Sequence, residues 1–130
     1  VRRSASLASR TLRDAGAHNV GLALAWAESG VNLASAARAA TEGALLGLYA
    51  FKRYKTQRDD KPQRAIEAIT ILGRGREPAL RSAVLRGRIL AESANFARDL
   101  GNEPPNTLTP TELGERARAF VAAYRALRPR

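Results

Sequence analysis

The sequence predicts an α/β protein in which an incomplete parallel or mixed sheet is flanked by helices, followed by a long linker helix and one further helix. Two observations predict this class. Helical and strand-like apolar patterns alternate over the first 76 residues, and a long helical pattern then runs into a proline-rich break. Because two strands alone leave sheet edges uncovered, we expect the missing strands to come from elsewhere in a parent chain or from another copy.

Two elements are predicted within the first 26 residues. Residues 4–17 show an amphipathic helical pattern, with leucine and alanine on one side and charged residues on the other. Gly16 is typical of a helix end. Residues 20–26, VGLALAW, form a short apolar run between turn-forming residues. This pattern favours a strand that is buried on both faces, as in parallel sheets.

The middle of the chain predicts a second helix and a second strand. The helix begins at Asn32, whose side chain suits an N-cap, and continues to about Phe51. A glycine inside a helix costs about 0.5–1 kcal/mol relative to alanine, so Gly43 and Gly47 predict packing too tight for a Cβ atom. Residues 65–72, AIEAITIL, have the content of a strand, although a helical interpretation stays open.

The longest helical pattern covers residues 77–100, a rod of about 35 Å at 1.5 Å per residue. Gly101 is the residue expected just after its C-terminus. A last helix is predicted from Pro110 to about Leu127. The chain is therefore divided into the C-terminal part of an α/β domain (1–76), an interdomain linker helix (77–101) and a joint with the first helix of a further domain (102–130).

The break between the last two helices is predicted to be a stiff joint. Pro104 and Pro105 have a fixed φ and no backbone N–H, so neither continues a helix. Thr109, Pro110 and Glu112 then provide a hydroxyl N-cap, a proline at the first helical position and the glutamate of a capping box. The predicted residues of this structural joint are Asn102, Glu103, Pro104, Pro105, Asn106, Thr109 and Pro110.

Glu103 is the joint residue with the most specific predicted role. Its neighbours Pro104, Pro105 and Asn106 are turn-forming residues. We therefore expect the Glu103 carboxylate to hold the turn, either by capping or by pairing with an arginine.

Two segments resemble one known family. ARDLGNEPPNTLTP (residues 97–110) is similar to the ARDL-x-NEPPN-x-LTP segment of the leucyl aminopeptidases, which are two-metal peptidases. Upstream, TEGALLGLYAFKRYKT (residues 41–56) resembles the EGA-LG-Y-F-x-x-Y-K stretch of the same family. The two segments occur in the family's order, and together they are more specific than either one alone.

The resemblance implies a parent enzyme that releases N-terminal amino acids from peptides, using two divalent metals, zinc or manganese, in its catalytic domain. It also implies a cytoplasmic homohexamer in which a macro-domain-like N-terminal domain is joined by a long helix to the catalytic domain. This chain would span that junction. The family's catalytic and metal-binding motifs lie downstream and are absent from this sequence, so no catalytic, metal-binding or cofactor-binding residue is assigned. We expect the segment alone to be inactive.

Composition limits the alternatives. The 130 residues are 45% hydrophobic and 26% charged, which is ordinary for a globular protein. No cysteine is present, so the chain has neither a disulfide framework nor a thiolate metal site. No apolar run is long enough for a membrane span. The absence of methionine and the start at Val1 lead us to expect a fragment or a processed product.

The charge is strongly basic, with a formal net charge of +10 and a pI of about 11.3. Such an excess can indicate nucleic acid, an anionic membrane surface or an acidic partner. Aromatic residues make up 5% of the chain, which leaves few platforms for base stacking. We favour a solvated arginine-rich surface, and the alternative is a DNA-binding or assembly module without enzymatic activity. The steep salt dependence of phosphate contacts separates the two.

Three other features have ordinary interpretations. His18 is the single histidine and is interpreted as a surface or helix-terminal residue, because a catalytic role needs partners. Asp59 and Asp60 are interpreted as a solvated loop, since a calcium or magnesium site needs more oxygen ligands. Trp26 is interpreted as a core or interdomain contact.

Overall fold

A computed structural model gives the architecture of the chain and describes residues 1–24, 30, 32–54, 65–74 and 77–126. The elements in order are α1 (Arg2–Asp14), β1 (Asn19–Ala23), α2 (Leu33–Gly47), β2 (Ala68–Leu72), α3 (Glu77–Asn102) and α4 (Pro110–Ala126). They form two compact units, Val1–Asn95 and Phe96–Arg130. Within the described residues, no helix is both long and apolar enough to cross a membrane. The predicted α/β class is confirmed.

The two strands form a parallel sheet, with Gly21 opposite Thr70 at its centre. Just beyond the end of β1, the N–H of Leu24 donates to the carbonyl of Leu72 at 2.8 Å. Two strands in a parallel sheet are therefore confirmed, but both are shorter than predicted: β1 ends at Ala23 and β2 begins at Ala68. Burial alternates along β1, because the packed helices cover one face of the sheet and leave the other exposed. The expectation of a strand buried on both faces is thus wrong for the described residues, and Trp26 lies outside them.

The end of α1 shows why the chain turns before β1. Gly16 has a φ of +93°, a conformation that glycine adopts without steric penalty. Its N–H donates to the Arg13 carbonyl, and the N–H of Ala17 donates to the Leu12 carbonyl, both at 2.9 Å. These two bonds form a Schellman motif, which satisfies carbonyls at the helix end. Gly16 therefore ends α1 as predicted.

α2 lies at the centre of the first unit. The Asn32 side chain caps it by accepting a hydrogen bond from the N–H of Ser35 at 3.0 Å. Its fully buried core residues are Ala37, Ala40 and Ala44. They pack with apolar residues of α1, α3 and both strands. The helix ends at Gly47, short of the predicted end near Phe51.

Close contact between α1 and α2 depends on two glycines. A Cβ atom at Gly43 would lie 2.1 Å from the carbonyl oxygen of Arg2. One at Gly47 would lie 2.3 Å from the hydroxyl of Ser6. Both distances are far below van der Waals contact, so the packing that these glycines predict is confirmed.

A buried carboxylate also joins α1 to α2. The Glu42 side chain is 8% exposed, and its Oε2 atom accepts from the Arg2 guanidinium, with Nε at 2.9 Å. Arg38 Nε lies 3.4 Å from the other carboxylate oxygen. Glu42 therefore lies between two cations, which compensates the burial of its charge.

α3 packs its first part against α2 and continues further than predicted. A Cβ atom at Gly87 would lie 2.7 Å from the Arg38 carbonyl oxygen. The helix extends to Asn102, so the expectation that Gly101 follows its C-terminus is wrong. The physical reason is that Pro104 restricts only Glu103, the residue before it, and the helical backbone can run as far as Asn102.

The boundary between the two compact units lies at Asn95 and Phe96, inside α3. The second unit consists of the end of α3, the proline joint and α4. α4 begins at Pro110, as predicted. The division of the chain into domains at residues 76 and 101 stays a prediction.

Candidate functional site at the proline joint

The joint is a hydrogen-bonded turn between α3 and α4. The N–H of Glu103 donates to the Leu100 carbonyl at 3.3 Å as α3 ends. The Pro104 carbonyl then accepts from the N–H groups of both Thr107 and Leu108 at 2.9 Å. The two prolines donate no bonds, but their neighbours close the turn.

The first turn of α4 is capped by Thr109. Its hydroxyl accepts from the N–H of Glu112 at 3.3 Å, and its carbonyl accepts from the N–H of Leu113 at 2.9 Å. This confirms Thr109 as the N-cap. The second bond of the capping box is not formed, and the Glu112 carboxylate instead accepts from Arg116 Nε at 2.7 Å. An arginine one turn further on thus binds the carboxylate that the box would use.

Arg116 brings two carboxylates together at the joint. Its Nη1 atom donates to Glu103 Oε1 at 3.0 Å, while its Nε atom donates to Glu112. The Glu103 side chain is fully buried, and the Arg116 side chain is 24% exposed. The hydrogen bond to Glu112, followed by the one to Glu103, raises the pKa of Arg116 above its ordinary value. The arginine pairing expected for Glu103 is therefore present.

The remaining joint residues have different surroundings. Asn102 lies in the last turn of α3, where its amide nitrogen donates to the Arg98 carbonyl at 2.8 Å. Pro104 is half-buried. The exposed residues of the joint are Asn102, Pro105, Asn106, Thr109 and Pro110. Glu103 is therefore the one predicted joint residue that the structure buries.

A stacked aromatic pair completes the second unit. The ring centroids of Phe96 on α3 and Phe120 on α4 lie 5.0 Å apart, with an angle of 15° between the planes. The sequence analysis did not pair these two residues. Their separation along the chain gives no local signal, so only the turn at the joint explains the contact.

We expect that Thr109→Ala weakens the start of α4. The substitution removes the hydroxyl that accepts from the Glu112 N–H, and the loss of such a cap costs about 1 kcal/mol. Urea unfolding followed by circular dichroism measures this. Thr111→Ala is a matched control, because Thr111 lies within the same helical turn but after the cap. Equal losses in the two variants would contradict the capping role.

Two further predictions concern charged and titratable residues of the first unit. His18 Nδ1 lies 3.5 Å from Glu67 Oε1, with both side chains largely exposed. Among the described residues, no group of three or more His, Cys, Asp or Glu side chains could hold a metal ion. Asp59 and Asp60 lie outside those residues. The absence of catalytic and metal-binding residues stays a prediction.

An open cleft of about 260 Å³ lies in the first unit and is lined by Arg13, Leu48, Ala50, Lys52, Ala65 and Ile66. Two cations suggest an anion, but Arg13 already donates to Asp14 at 2.9 Å. Arg13 and Leu48 also lie at the C-terminal ends of α1 and α2. The dipole at a helix C-terminus repels anions, so the cleft is a poor anion site.

Comparison with known proteins agrees with the fold. Residues 1–58 match the N-terminal domain of the cytosol aminopeptidase family. A probable cytosol aminopeptidase of Solibacter usitatus is 44% identical over 124 residues, 95% of this chain and 24% of the relative. One of Syntrophotalea carbinolica is 36% identical over 123 residues, 93% of this chain and 25% of the relative. The bottromycin maturation enzyme BotP in complex with Mn is similar in structure, with a TM-score of 0.77 and 32% identity over 94% of this chain and 24% of that one.

The fold defines the class of protein: an α/β unit is followed by a long helix, a proline joint and a further helix. The chain belongs to the leucyl, or cytosol, aminopeptidase family. It spans about a quarter of the length of the Solibacter and Syntrophotalea relatives.

Proposed function

We propose that this chain is an architectural segment of a metal-dependent leucyl aminopeptidase that releases N-terminal amino acids from peptides. Family membership supports the peptidase activity of the parent enzyme. The ion pair between the buried Glu103 and Arg116 at the joint supports the architectural role of this chain. In this proposal the chain contributes packing and subunit contacts, and catalysis belongs to the rest of the enzyme.

Two divalent metal ions, zinc or manganese, belong to the catalytic domain in this proposal. Such ions lower the pKa of a bound water and polarise the peptide carbonyl. The described residues of this chain do not fit such a centre, because their carboxylates do not converge in groups of three. The buried carboxylates Glu42 and Glu103 are instead occupied by arginines.

The assembly and location are proposed on the resemblance alone. We propose a homohexamer in the cytoplasm that acts on peptide substrates. The DNA-binding alternative is supported by the basic composition alone, and arginines on three helices already pair with carboxylates. Those pairs are Arg2 with Glu42, Arg88 with Glu92 and Arg116 with Glu103.

The test compares the full-length protein that contains this chain with residues 1–130 alone. We expect the full-length protein to hydrolyse a leucine anilide with added manganese or zinc and to lose this activity on chelation. We expect residues 1–130 to release no product under the same conditions. An inactive metal-loaded full-length protein would overturn the peptidase proposal, and activity in residues 1–130 would overturn the architectural one.

A further inference from the structure

We propose that Arg116 is a positioning residue of the parent enzyme. Its single guanidinium ties Glu103, where the chain leaves α3, to Glu112, in the first turn of α4. This clamp, formed by Glu103, Glu112 and Arg116, fixes the direction in which α4 leaves the joint. The consequence for catalysis rests on the proposed function, whereas the clamp itself does not.

The burial of Glu103 makes the contact directional. Its side chain is fully buried, so its charge must be compensated by a partner in the protein. The backbone of the same residue is bonded to the Leu100 carbonyl at the end of α3. Because α4 carries the Arg116 guanidinium that compensates this charge, α4 can lie in few directions relative to the C-terminal end of α3.

The second carboxylate holds the arginine in place. Glu112 lies one turn before Arg116 on α4 and accepts from Nε at 2.7 Å, which leaves Nη1 to donate to Glu103 at 3.0 Å. Arginine has several donors in a rigid planar fork, whereas lysine has a point charge on a flexible stem. Lysine at this position would keep the charge but lose the two-sided geometry.

The clamp matters for the reaction because it lies just before the catalytic part of the proposed enzyme. In the proposed enzyme, α4 is the first helix of the catalytic domain. Its direction therefore affects the position of the elements that hold the metals and the substrate. Misplacement of reacting groups by about 1 Å can lower a rate by about 100-fold. We therefore infer that the clamp acts on turnover more than on substrate binding.

The experiment uses the full-length protein and compares Arg116→Gln, Arg116→Lys and Arg118→Gln. Arg118 is exposed, lies on the same helix and loses the same charge, which makes it the matched control. Hydrogen–deuterium exchange by mass spectrometry is read on peptides covering residues 103–109. Steady-state kinetics with a leucine anilide give kcat and KM at a temperature well below each variant's unfolding transition.

We expect Arg116→Gln to speed exchange several-fold over residues 103–109, where the amides of Thr107 and Leu108 are bonded to Pro104. We expect kcat to fall about tenfold or more with little change in KM. Arg116→Lys should lie between Arg116→Gln and the wild type, and Arg118→Gln should match the wild type.

The outcomes separate the two proposals. Equal exchange in Arg116→Gln and Arg118→Gln would overturn the clamp, whatever the activity. Faster exchange with an unchanged kcat would overturn the positioning role and leave the clamp as a structural contact. An inactive wild-type protein would overturn the proposed function and with it the catalytic role of Arg116, while the exchange data would still decide the clamp.

Discussion

Gly43→Ala is expected to destabilise the first unit by about 3 kcal/mol, the upper part of the range for overpacked cores. The new methyl group would lie 2.1 Å from the Arg2 carbonyl oxygen and 2.9 Å from its carbon. These atoms are backbone, so no side chain can rotate away, and at least the first turn of α1 must shift. That cost exceeds the gain of about 0.5–1 kcal/mol that alanine brings to a helix.

Gly114→Ala is the matched control for this substitution. Gly114 also lies inside a helix, but a Cβ atom there would meet nothing within 4 Å. We expect it to stabilise α4 by up to about 1 kcal/mol. Urea unfolding followed by circular dichroism gives both changes. If Gly43→Ala were as stable as the wild type, the close α1–α2 contact would be wrong.

Glu42→Lys is expected to cost about 3 kcal/mol, the lower end of the range for a broken buried pair. The substitution puts a cation beside Arg2 and Arg38 at a side chain that is 8% exposed. Both arginines are about half exposed and keep contact with water, which limits the repulsion. The effect should fall on the same α1–α2 interface as Gly43→Ala.

Glu92→Lys makes the same change of charge at an exposed pair. Glu92 Oε1 accepts from Arg88 Nε at 2.6 Å, but both side chains are more than half exposed. Exposed pairs contribute little to stability, so thermal unfolding of Glu92→Lys should resemble that of the wild type. Similar losses of stability in Glu42→Lys and Glu92→Lys would mean that burial does not determine how much Glu42 contributes to stability.

Local signals account for the parts of the fold that the sequence predicted well. Asn32 and Thr109 have side chains that cap a helix through residues close along the chain. Gly43 and Gly47 indicated a tight interface. Glycine destabilises a helix relative to alanine, so its presence there indicates that a Cβ atom would not fit. Apolar runs gave both strands, and helix crossovers favoured their parallel pairing.

Contacts that depend on the whole fold were not available from the sequence. The expectation for Glu103 was a cap or an arginine partner, but no pattern around Glu103 selected Arg116, which is 13 residues away and meets Glu103 only after the joint turns. The spacing of Glu112 and Arg116 on one helix face was the available signal. The exposed face of β1 was missed for a related reason, since an apolar run does not reveal which of its faces a neighbour covers.

The parallel pairing of β1 with β2 also sets an order of events during synthesis. Each contact of the ladder joins a residue near position 20 to one near position 70, so the β1–β2 pair cannot form until the ribosome has passed Leu72. α1 and α2 are complete by residue 47 and can pack against each other before then. The α1–α2 pair is thus available as a surface on which the two strands can pair, and this slower, long-range step follows the packing of the helices.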